Sequence, residues 1–329
     1  LFRSGKNLMK ILITGAAGFI GAHTVNYLSK KDNLTLILTD NRALTYKTKH
    51  DFHQFDLSNK DKLSSFLTDT KPDLVIHYAS LVDPRYIEDN PLKAYLINVG
   101  ITMNLINACI KNNVHNFIYP SSSAVYGNND SQFISEDESM SPFNVYSKTK
   151  EICETMLKNV SSSNGNFNYV ILRMFRVVGS YKELANTEDQ NFLNPIRIAI
   201  MTATGINKDF TINGKDYDTE DGTVERDYIH IDDVMEMQYA SIKYLMENNE
   251  SNVFNCATGV STSLLGIVKS ISRVSGVDIN INYGPSRENE YIRQVADISK
   301  AKKYLDWHPK ITSIDVMCES IYEIERNTC

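Results

Sequence analysis

Residues 10–21 read K-I-L-I-T-G-A-A-G-F-I-G, and no other stretch limits the folds open to this chain as strongly. The apolar, β-branched run Lys10–Thr14 predicts a strand, and the residues after the glycines predict a helix. Gly15 permits a tight turn with positive φ, Gly18 lets the backbone approach a bound group, and Gly21 lets helix and strand pack closely. Strand, glycine turn and helix in succession are typical of a phosphate-binding loop, because the helix N-terminus presents unpaired N–H groups to an anion.

Short apolar runs and helical patterns continue to alternate along the chain. The further runs predicted as strands are 34–39, 52–56, 73–79, 116–120 and 169–174. The run at 73–79 is almost continuously apolar, as expected for a parallel strand covered on both faces. His77 within it is interpreted as a buried, hydrogen-bonded histidine without a chemical role. Strands alternating with helices predict an α/β fold with a doubly wound, Rossmann-like parallel sheet, whose ligands lie at the carboxyl ends of the strands.

The glycine spacing and an acidic residue after the second strand together predict a dinucleotide site. Asp40 follows the glycine turn by about twenty residues, where a carboxylate binds the adenosine ribose hydroxyls. The carboxylate also repels a 2′-phosphate, so NAD is favoured over NADP, although Arg42 close by weakens that preference. Further contacts to NAD are predicted around the turn and at strand ends: Phe19, Ile20, Asn41, Asp56, Leu57, Tyr78, Ala79 and Ser80.

Two motifs further along the chain carry the residues of a proton-transfer site. S-S-S-A-V-Y-G, residues 121–127, places Ser122 at a predicted strand end, and Y-S-K-T-K places Tyr146 and Lys150 four residues apart on a predicted helix. A free tyrosine has a pKa of about 10 and is a poor base at neutral pH. The Lys150 ammonium and the positively charged nicotinamide are expected to lower that pKa. Ser122 would orient a substrate hydroxyl toward Tyr146, and Lys150 would also bind the nicotinamide ribose.

Charge and cysteine content exclude several other classes of function. The formal net charge is −6 and no block of Lys or Arg stands out, which argues against nucleic acid or an anionic membrane as the main partner. The five cysteines show no C-x-x-C spacing, so we expect free thiols in a reducing, cytoplasmic setting and no metal site. No uninterrupted apolar run reaches the length of a membrane span.

Long stretches of the chain also resemble a known family. The motifs at residues 14–21, 121–127 and 146–150 are similar to those of extended short-chain dehydrogenases/reductases. G-K-D-Y-D-T-E-D-G-T-V-E-R-D-Y-I-H-I-D-D, residues 214–233, resembles the signature of the UDP-glucose 4-epimerase family, and the similarity extends from Lys10 to Ile321. The resemblance implies an enzyme that interconverts UDP-glucose and UDP-galactose by transient oxidation at the sugar C4, with NAD retained between turnovers.

The resemblance implies roles for individual residues as well. Arg226 and Arg287 match arginines that bind the nucleotide diphosphate, and a guanidinium fork suits two phosphate oxygens. Glu290 matches an acidic residue that contacts the uridine ribose, and Asn98 matches a residue near the nicotinamide. The predicted substrate site, with Leu193 and Phe210 as walls for the uracil, consists of Ser122, Tyr146, Phe175, Arg176, Asn191, Leu193, Phe210, Arg226, Arg287, Glu290 and Gln294.

Three positions depart from the family pattern and leave the sugar open. Val82 stands where a lysine is frequent, Arg176 where an asparagine is usual beside the diphosphate, and Phe192 where another asparagine is usual, next to Asn191. Gln294 matches a gate that is large in enzymes restricted to plain hexoses and small in those that also accept N-acetylated sugars. We favour the plain hexose. Epimerisation of UDP-N-acetylhexosamines, pentoses or uronic acids and decarboxylation of UDP-glucuronate stay open, because Arg176 suits a sugar carboxylate.

Two other functional classes compete with this interpretation. A 4,6-dehydratase would need an Asp-Glu pair directly after the catalytic hydroxyl, where Ser123 and Ala124 stand. A non-catalytic NAD sensor would share the same fold, since a fold alone does not define a function. The intact set of Ser122, Tyr146 and Lys150 argues for an enzyme.

The chain is long enough for two lobes. We expect an NAD-binding domain over residues 9–180 and a smaller C-terminal α/β substrate lobe over residues 181–329, interleaved with returns to the main sheet. The predicted helices Pro91–Asn112 and Phe143–Asn159 resemble those that pair across a two-fold axis in family members. The resemblance therefore implies a homodimer formed through the NAD-binding domain.

Overall fold

The computed structural model describes residues 8–129, 131–181, 183–184, 194–287 and 290–326. Within these ranges the strands are β1 (Met9–Thr14), β2 (Leu34–Asp40), β3 (Asp51–Gln54), β4 (Leu74–His77), β5 (Asn116–Ser122), β6 (Asn168–Met174), β7 (Arg176–Val178), β8 (Phe210–Asn213), β9 (Glu225–His230), β10 (Asn252–Cys256), β11 (Ser261–Ser263), β12 (Ile281–Gly284) and β13 (Arg293–Gln294).

The helices over the same ranges are α1 (Phe19–Leu28), α2 (Lys60–Thr70), α3 (Pro84–Asp89), α4 (Pro91–Ala94), α5 (Thr102–Lys111), α6 (Val145–Ser163), α7 (Pro195–Ala203), α8 (Ile231–Asn248), α9 (Leu264–Ser275), α10 (Ser299–Leu305) and α11 (Ile314–Glu325). A π-helical segment, Tyr95–Ile101, joins α4 to α5, and a 3₁₀ turn covers Ser123–Tyr126. None of these helices combines the length and the apolar character that crossing a bilayer requires.

The main sheet follows the predicted doubly wound pattern. Among the described residues it has seven strands in the order β10-β6-β5-β4-β1-β2-β3, and each neighbouring pair is parallel. The chain runs outward from β1 to β3, returns to β4 on the other side of β1, and then runs outward in the opposite direction. The order therefore reverses between β1 and β4, and this switch point opens a crevice at the carboxyl ends of the strands. The predicted fold class is confirmed.

Helices cover both faces of the main sheet, as the side chains of β1 show. Ile11 and Ile13 lie in a core shared with α1, α8 and α10, whereas Leu12 lies in the opposite core shared with α2, α5 and α6. All three side chains are fully buried. Successive side chains of a strand point to opposite faces, so a strand covered on both sides needs an uninterrupted apolar run. This requirement explains why the run at residues 10–14 marks a central strand.

The second lobe is built from a smaller sheet, a strand pair and the helices packed on them. β9 pairs with β7, β11 and β13, and β8 pairs with β12. Helices α7, α9 and α11 surround a separate apolar core that contains Ile200, Phe210 and Ile267. After β9 the chain returns to the first lobe, because β10 joins the main sheet and α8 joins its core. We propose that the boundary near residue 180 separates an NAD-binding domain from this interleaved lobe.

The predicted helix Phe143–Asn159 is present with a shifted start. It begins at Val145 because Asn144 caps it: the Asn144 side-chain oxygen accepts a hydrogen bond from the Ser147 N–H at 2.8 Å. The Ser147 hydroxyl lies 3.3 Å from the Asn144 N–H and completes a reciprocal capping pair. The cap fixes the first turn of α6, which carries Tyr146.

The predicted helix Pro91–Asn112 is present but is not a regular α-helix throughout. Its middle segment, Tyr95–Ile101, is π-helical, with hydrogen bonds that span five residues instead of four. A π segment disturbs the spacing of apolar residues too little to be read from a sequence pattern. Such segments are frequent at functional sites, and this one carries Asn98.

Replacing Gly21 by alanine is expected to destabilise the first strand–helix unit. A Cβ at Gly21 would lie 2.2 Å from the Gly15 carbonyl oxygen, so helix α1 would have to move away from the turn. Overpacking of this kind costs about 1–3 kcal/mol. Gly165→Ala is the matched control, because a Cβ there meets nothing within 4 Å. Urea unfolding followed by circular dichroism measures both variants, and equal stability of the two would contradict the prediction.

Candidate active site

The glycine turn after β1 lies at the switch point of the sheet. Gly15 has a φ of +71°, and a Cβ on it would lie 2.5 Å from the Ala79 nitrogen, so only glycine fits where the turn meets the loop after β4. Helix α1 starts at Phe19, and no side chain in the described part of the chain caps its N-terminus. The free N–H groups of the first turn therefore face the crevice as an anion site. This arrangement fits the pyrophosphate of NAD.

Asp40 braces the glycine turn from the end of β2. Its carboxylate is buried, and its two oxygens accept hydrogen bonds from the N–H groups of Ala17 and Arg42, each at 2.9 Å. The Arg42 side chain is exposed, with its Nε 3.6 Å from the carboxylate. A carboxylate has about four acceptor positions, so Asp40 keeps capacity for ribose hydroxyls. The residue thus has a structural role that the sequence analysis does not anticipate.

The other residues predicted on the cofactor side lie around this crevice in different settings. Phe19 and Ile20 are partly buried in the first turn of α1. Asn41 and Asp56 are exposed after β2 and β3, whereas Leu57 is buried in the core under α2. Contacts of these residues with NAD stay predictions.

The loop after β4, Tyr78 to Ser80, brings mainly its backbone to the glycine turn. The Tyr78 hydroxyl hydrogen bonds with Gln238 of α8 and Thr24 of α1, so its side chain lies between these helices. The Ser80 hydroxyl donates to the Leu81 carbonyl at 3.0 Å.

Asn98, in the π-helical segment, holds this loop in place. Its side-chain oxygen accepts from the Leu81 N–H at 2.7 Å, and its amide nitrogen donates to the Leu81 carbonyl at 3.0 Å. The same nitrogen donates to the Thr149 hydroxyl of α6 at 3.1 Å. Asn98 therefore ties the loop after β4 to the helix that carries Tyr146 and Lys150. Only the three-dimensional structure reveals this connection, because the partners are distant in sequence.

Ser122, Tyr146 and Lys150 come together at the carboxyl end of β5. β5 extends to Ser122, because Ser122 pairs in register with Met174 of β6. The Ser122 hydroxyl lies close enough to Tyr146 to lower the pKa of the phenol, against the effect of burial. The Lys150 Nζ lies 5.8 Å from the centre of the Tyr146 ring and donates to the Pro120 carbonyl at 2.9 Å. The predicted catalytic residues therefore share one site.

The protonation of this site differs in one respect from the expectation. Burial raises the pKa of Tyr146 to about 12, which exceeds the lowering by Ser122, so the protein alone holds a neutral phenol at pH 7. Burial also lowers the pKa of Lys150 to about 8, opposed by Cys153 and Glu154, so the ammonium still predominates at pH 7. The expected lowering of the Tyr146 pKa by Lys150 does not overcome burial. A second positive charge near the phenol is needed to favour the phenolate.

His77, at the end of β4, is confirmed as a buried and fully hydrogen-bonded histidine. Its Nδ1 lies 2.7 Å from the Thr14 hydroxyl and its Nε2 lies 3.0 Å from the Thr102 hydroxyl. Burial and the nearby Lys150 charge lower its pKa to about 3, so it stays neutral. Its role is to join two strands and a helix.

Arg226 and Arg287 converge in the second lobe. Arg226, on β9, is buried, and its Nη2 donates to Glu290 Oε1 at 2.8 Å. Arg287 is exposed, with its Nη1 3.7 Å from Glu290 Oε2. With its amide oxygen turned toward Arg287, Asn213 accepts from that guanidinium at 2.8 and 3.2 Å. One carboxylate thus sets the two guanidinium groups side by side.

Arg176 adds a third guanidinium to this basic cluster. It begins β7 directly after β6 and pairs in register with Tyr228 of β9, two residues beyond Arg226. Its side chain is exposed and forms no hydrogen bond or ion pair within the described ranges. Burial, and then the Arg176 charge, lower the pKa of Arg226 to about 10, so the two guanidinium groups are close. Arg176 therefore lies near Arg226 and follows β6, whose last residue, Met174, pairs in register with Ser122.

Several buried polar atoms beside the cluster lack a partner among the described residues: Arg226 Nε, Tyr291 Oη and Gln294 Nε2. Gln294 pairs in register with Arg226, and the Tyr291 ring lies 4.5 Å from the ring of Phe143, which precedes α6. The large majority of buried polar groups in proteins, roughly 90%, form at least one hydrogen bond. Their number here indicates a place for a polar ligand. Tyr291 was not singled out by its sequence context.

Two of the remaining predicted substrate residues are described by the structure, and both are buried. Phe175 is buried in a cluster with Val125 and Tyr126, and Phe210 is buried in the core of the second lobe. Asn191 and Leu193, together with the neighbouring Phe192, lie outside the described residues. Contacts of these residues with a substrate stay predictions.

A dinucleotide crevice, a Ser–Tyr–Lys set and a nearby basic cluster together define an oxidoreductase-type site with a cationic neighbourhood that suits an anionic group. Residues 11–257 match the NAD dependent epimerase/dehydratase family, and the chain belongs to this family. Its cofactor is NAD.

Two relatives of this chain share one name. The chain is 36% identical over 317 residues to the UDP-glucose 4-epimerase of Lactobacillus helveticus. The matched region covers 93% of this chain and 94% of that protein. It is 31% identical to the UDP-glucose 4-epimerase of Rhizobium meliloti, and that match covers 91% of this chain and 92% of the relative.

Two solved structures extend the similarity to three dimensions. The UDP-Glc/GlcNAc 4-epimerase of Campylobacter jejuni has a TM-score of 0.84 and 33% identity, with 97% of this chain and 99% of that chain covered. The second is the UDP-glucose 4-epimerase of Stenotrophomonas maltophila, solved with bound NAD and formylated UDP-arabinopyranose. It has a TM-score of 0.92 and 25% identity, and the match covers 97% of this chain and 98% of that chain.

Replacing Asp40 by alanine is expected to weaken NAD binding at least about tenfold and to destabilise the protein by about 1–3 kcal/mol, because the Ala17 and Arg42 N–H groups lose their acceptor. Asp40→Asn keeps one acceptor oxygen and should be intermediate. Asp69→Ala, on α2, serves as the control. Calorimetric titration with NAD and urea unfolding measure the two effects. Unchanged NAD affinity in Asp40→Ala would refute this role.

Proposed function

We propose that this protein interconverts UDP-glucose and UDP-galactose by transient oxidation at the sugar C4, with NAD held between turnovers. The observation that carries the proposal is the meeting of Ser122, Tyr146 and Lys150 at the same sheet edge as the glycine turn. Membership of the family and whole-length similarity to proteins named UDP-glucose 4-epimerase support the same reaction.

Each residue of the catalytic set has a separate task. The Ser122 hydroxyl, which lies near Tyr146, orients the sugar 4-hydroxyl toward the phenol oxygen. Tyr146 takes the proton from that hydroxyl, and the Lys150 ammonium stabilises the phenolate that does so. NAD held at the glycine turn would supply the acceptor for the C4 hydride and, once reduced, the donor that restores it on the opposite face of the sugar. The proton then returns from Tyr146, so no net oxidation occurs.

The basic cluster suits the diphosphate of the substrate in charge as well as in position. Arg226 and Arg287 share the carboxylate of Glu290, and the charge of Arg176 lies near Arg226, so three guanidinium groups face one carboxylate among these residues. Two positive charges are therefore in excess. A diphosphate that links two sugars carries one negative charge per phosphate, so the charges balance. Bidentate guanidinium contacts would hold the diphosphate firmly.

Firm anchoring of the nucleotide explains how the sugar is presented on both faces. The oxidised sugar has to turn over inside the pocket without leaving it. Binding energy from the UDP portion, which does not react, retains the intermediate during this motion. Gln294, beside Arg226 and with an unpartnered amide nitrogen among the described residues, is placed to limit the size of the turning sugar.

Arg176 is the observation that favours a second substrate class, the UDP-uronic acids. Its exposed guanidinium has no partner in the described part of the chain, and Arg176 follows β6, whose last residue pairs in register with Ser122. Separate incubation with UDP-galactose, UDP-N-acetylgalactosamine and UDP-glucuronate, followed by product identification, distinguishes the classes. We expect UDP-glucose from UDP-galactose as the main product.

Replacing Tyr146 by phenylalanine is expected to lower kcat by about 10²–10⁴-fold, because the proton acceptor is lost. NAD binding should persist, since the glycine turn is untouched. Tyr304→Phe, an exposed tyrosine on α10, removes a hydroxyl elsewhere and should leave kcat unchanged. A coupled assay for UDP-glucose formation and calorimetric titration with NAD provide the measurements. Full activity of Tyr146→Phe would remove tyrosine as the base.

We also place the enzyme in the cytoplasm, because Cys109, Cys153, Cys256 and Cys318 are free and buried. Free thiols persist in a reducing compartment.

A homodimer through the NAD-binding domain is part of the proposal. Leu92, Leu96 and Met103, on α4, the π-helical segment and α5, are 78%, 72% and 51% exposed. The spacing of four residues puts Leu92 and Leu96 on one side of the helix, and Met103 follows after the π-helical segment. A row of large exposed apolar side chains indicates a surface that is covered in solution. A second copy of the same helix would cover it symmetrically.

The double replacement Leu92→Glu and Leu96→Glu is expected to yield a monomer, because paired copies would bring like charges into an apolar contact. Static light scattering should show twice the chain mass for the native protein and a single chain mass for the variant. Val316→Glu changes an exposed apolar residue of α11 and should remain dimeric. A native protein that is monomeric at every concentration would exclude the interface.

A further inference from the structure

Helix α6 presents a third polar residue in line with the catalytic pair. Tyr146, Lys150 and Glu154 follow one another at intervals of four residues and so lie along one face of the helix. The Glu154 side chain is fully buried. It accepts a hydrogen bond from the Ser121 hydroxyl at 2.6 Å, and from Arg173 Nε and Nη2 at 3.1 and 2.8 Å. None of the functional steps described above uses Glu154.

These bonds fasten the end of β5 to α6 immediately before the catalytic serine. The Lys150 ammonium donates to the Pro120 carbonyl at 2.9 Å, and the next residue, Ser121, donates its hydroxyl to Glu154. Arg173, on β6, pairs in register with Ser121 and binds the same carboxylate. The position of Ser122 relative to α6 is therefore fixed by two successive strand residues.

Glu154 is also the negative charge that faces Lys150. The other titratable groups around the ammonium are Tyr146 and Cys153 on α6, His77 on β4 and Tyr119 on β5. Burial keeps each of these groups neutral, because it raises the pKa of the tyrosines and the thiol and lowers that of His77. Lys158 and Arg173 are cations beside Glu154.

We propose that Glu154 is a positioning residue for the reaction: through Ser121 it holds Ser122 opposite Tyr146, and with its charge it keeps Lys150 in the ammonium form. The inference rests on the proposed function, because it acts through the residues of that site. Arg173 balances the buried carboxylate and thereby keeps it in place.

Two sets of variants separate the two parts of this role. Ser121→Ala removes the hydrogen bond to Glu154 and keeps both charges, so kcat should fall about tenfold while the pH profile stays unchanged. Ser121→Thr keeps the hydroxyl and should restore kcat. If kcat fell equally in Ser121→Ala and Ser121→Thr, the size of the side chain and not its hydroxyl would explain the loss. That result would overturn the positioning part of the proposal.

Glu154→Gln keeps the shape and one acceptor oxygen but removes the charge. The alkaline limb of the kcat profile should move to lower pH by on the order of one unit, because Lys150 loses the anion that favours its ammonium form. An NMR titration of protein labelled with ¹³C at the lysine Cε, with Lys150 assigned by Lys150→Arg, should show the same shift without turnover. A lower kcat with unmoved titrations would reduce Glu154 to a packing role and overturn the charge part.

Controls keep the outcomes distinct. Glu151→Gln removes a carboxylate that pairs with Lys148 on the same helix and should change neither kcat nor the Lys150 titration. Should Glu154→Gln fail to fold because Arg173 is left unpaired, the double replacement Glu154→Gln and Arg173→Gln removes both charges and should show the same direction of shift. A native protein that is inactive on every UDP-sugar would refute the proposed function. If the native protein is active but Glu154→Gln leaves the kcat profile and the Lys150 titration unshifted, only the role of Glu154 is refuted.

Discussion

The contact on which the active site most depends is the hydrogen bond from the Lys150 ammonium to the Pro120 carbonyl. It joins the helix that carries Tyr146 to the strand that ends in Ser122. An ammonium in this buried place loses hydration, which is why its pKa falls to about 8. The carbonyl and the carboxylate of Glu154 compensate part of that loss. The charge survives at pH 7 because the sheet and the helix are held together around it.

In the proposed function the two lobes have different tasks, reaction in the first lobe and substrate recognition in the second. The parallel sheet presents its strand ends at one edge, so the glycine turn, the loop after β4 and Ser122 share a crevice. The smaller lobe supplies Arg226 and Arg287, and Arg176 stands where the chain passes from one lobe to the other. Because β10 and α8 return to the main sheet, the chain crosses between the lobes more than once. The substrate site that we propose therefore has residues from both lobes.

Local patterns were sufficient for much of this picture. The run Lys10–Thr14 and the glycines after it predict the central strand and the turn, because close packing and positive φ leave few alternatives to glycine. Tyr146 and Lys150 are recognisable because four-residue spacing places them on one helix face. The π-helical segment was not predictable, since its effect on periodicity is small. The raised pKa of Tyr146 also escaped prediction, because burial depends on neighbours that are distant in sequence.

What the order of residues decides here is short-ranged: strand, turn and helix types, the parallel class of the sheet, and the chemical groups available. Each follows from periodicity, backbone freedom or side-chain chemistry within a few residues. What folding alone decides is which groups meet. Asn98 reaches Leu81 and Thr149, Asp40 reaches Ala17, and Glu154 reaches Ser121 and Arg173 only through tertiary contacts. Hydrogen bonds and desolvation act over a few ångströms of space, and distance along the chain does not reveal that proximity.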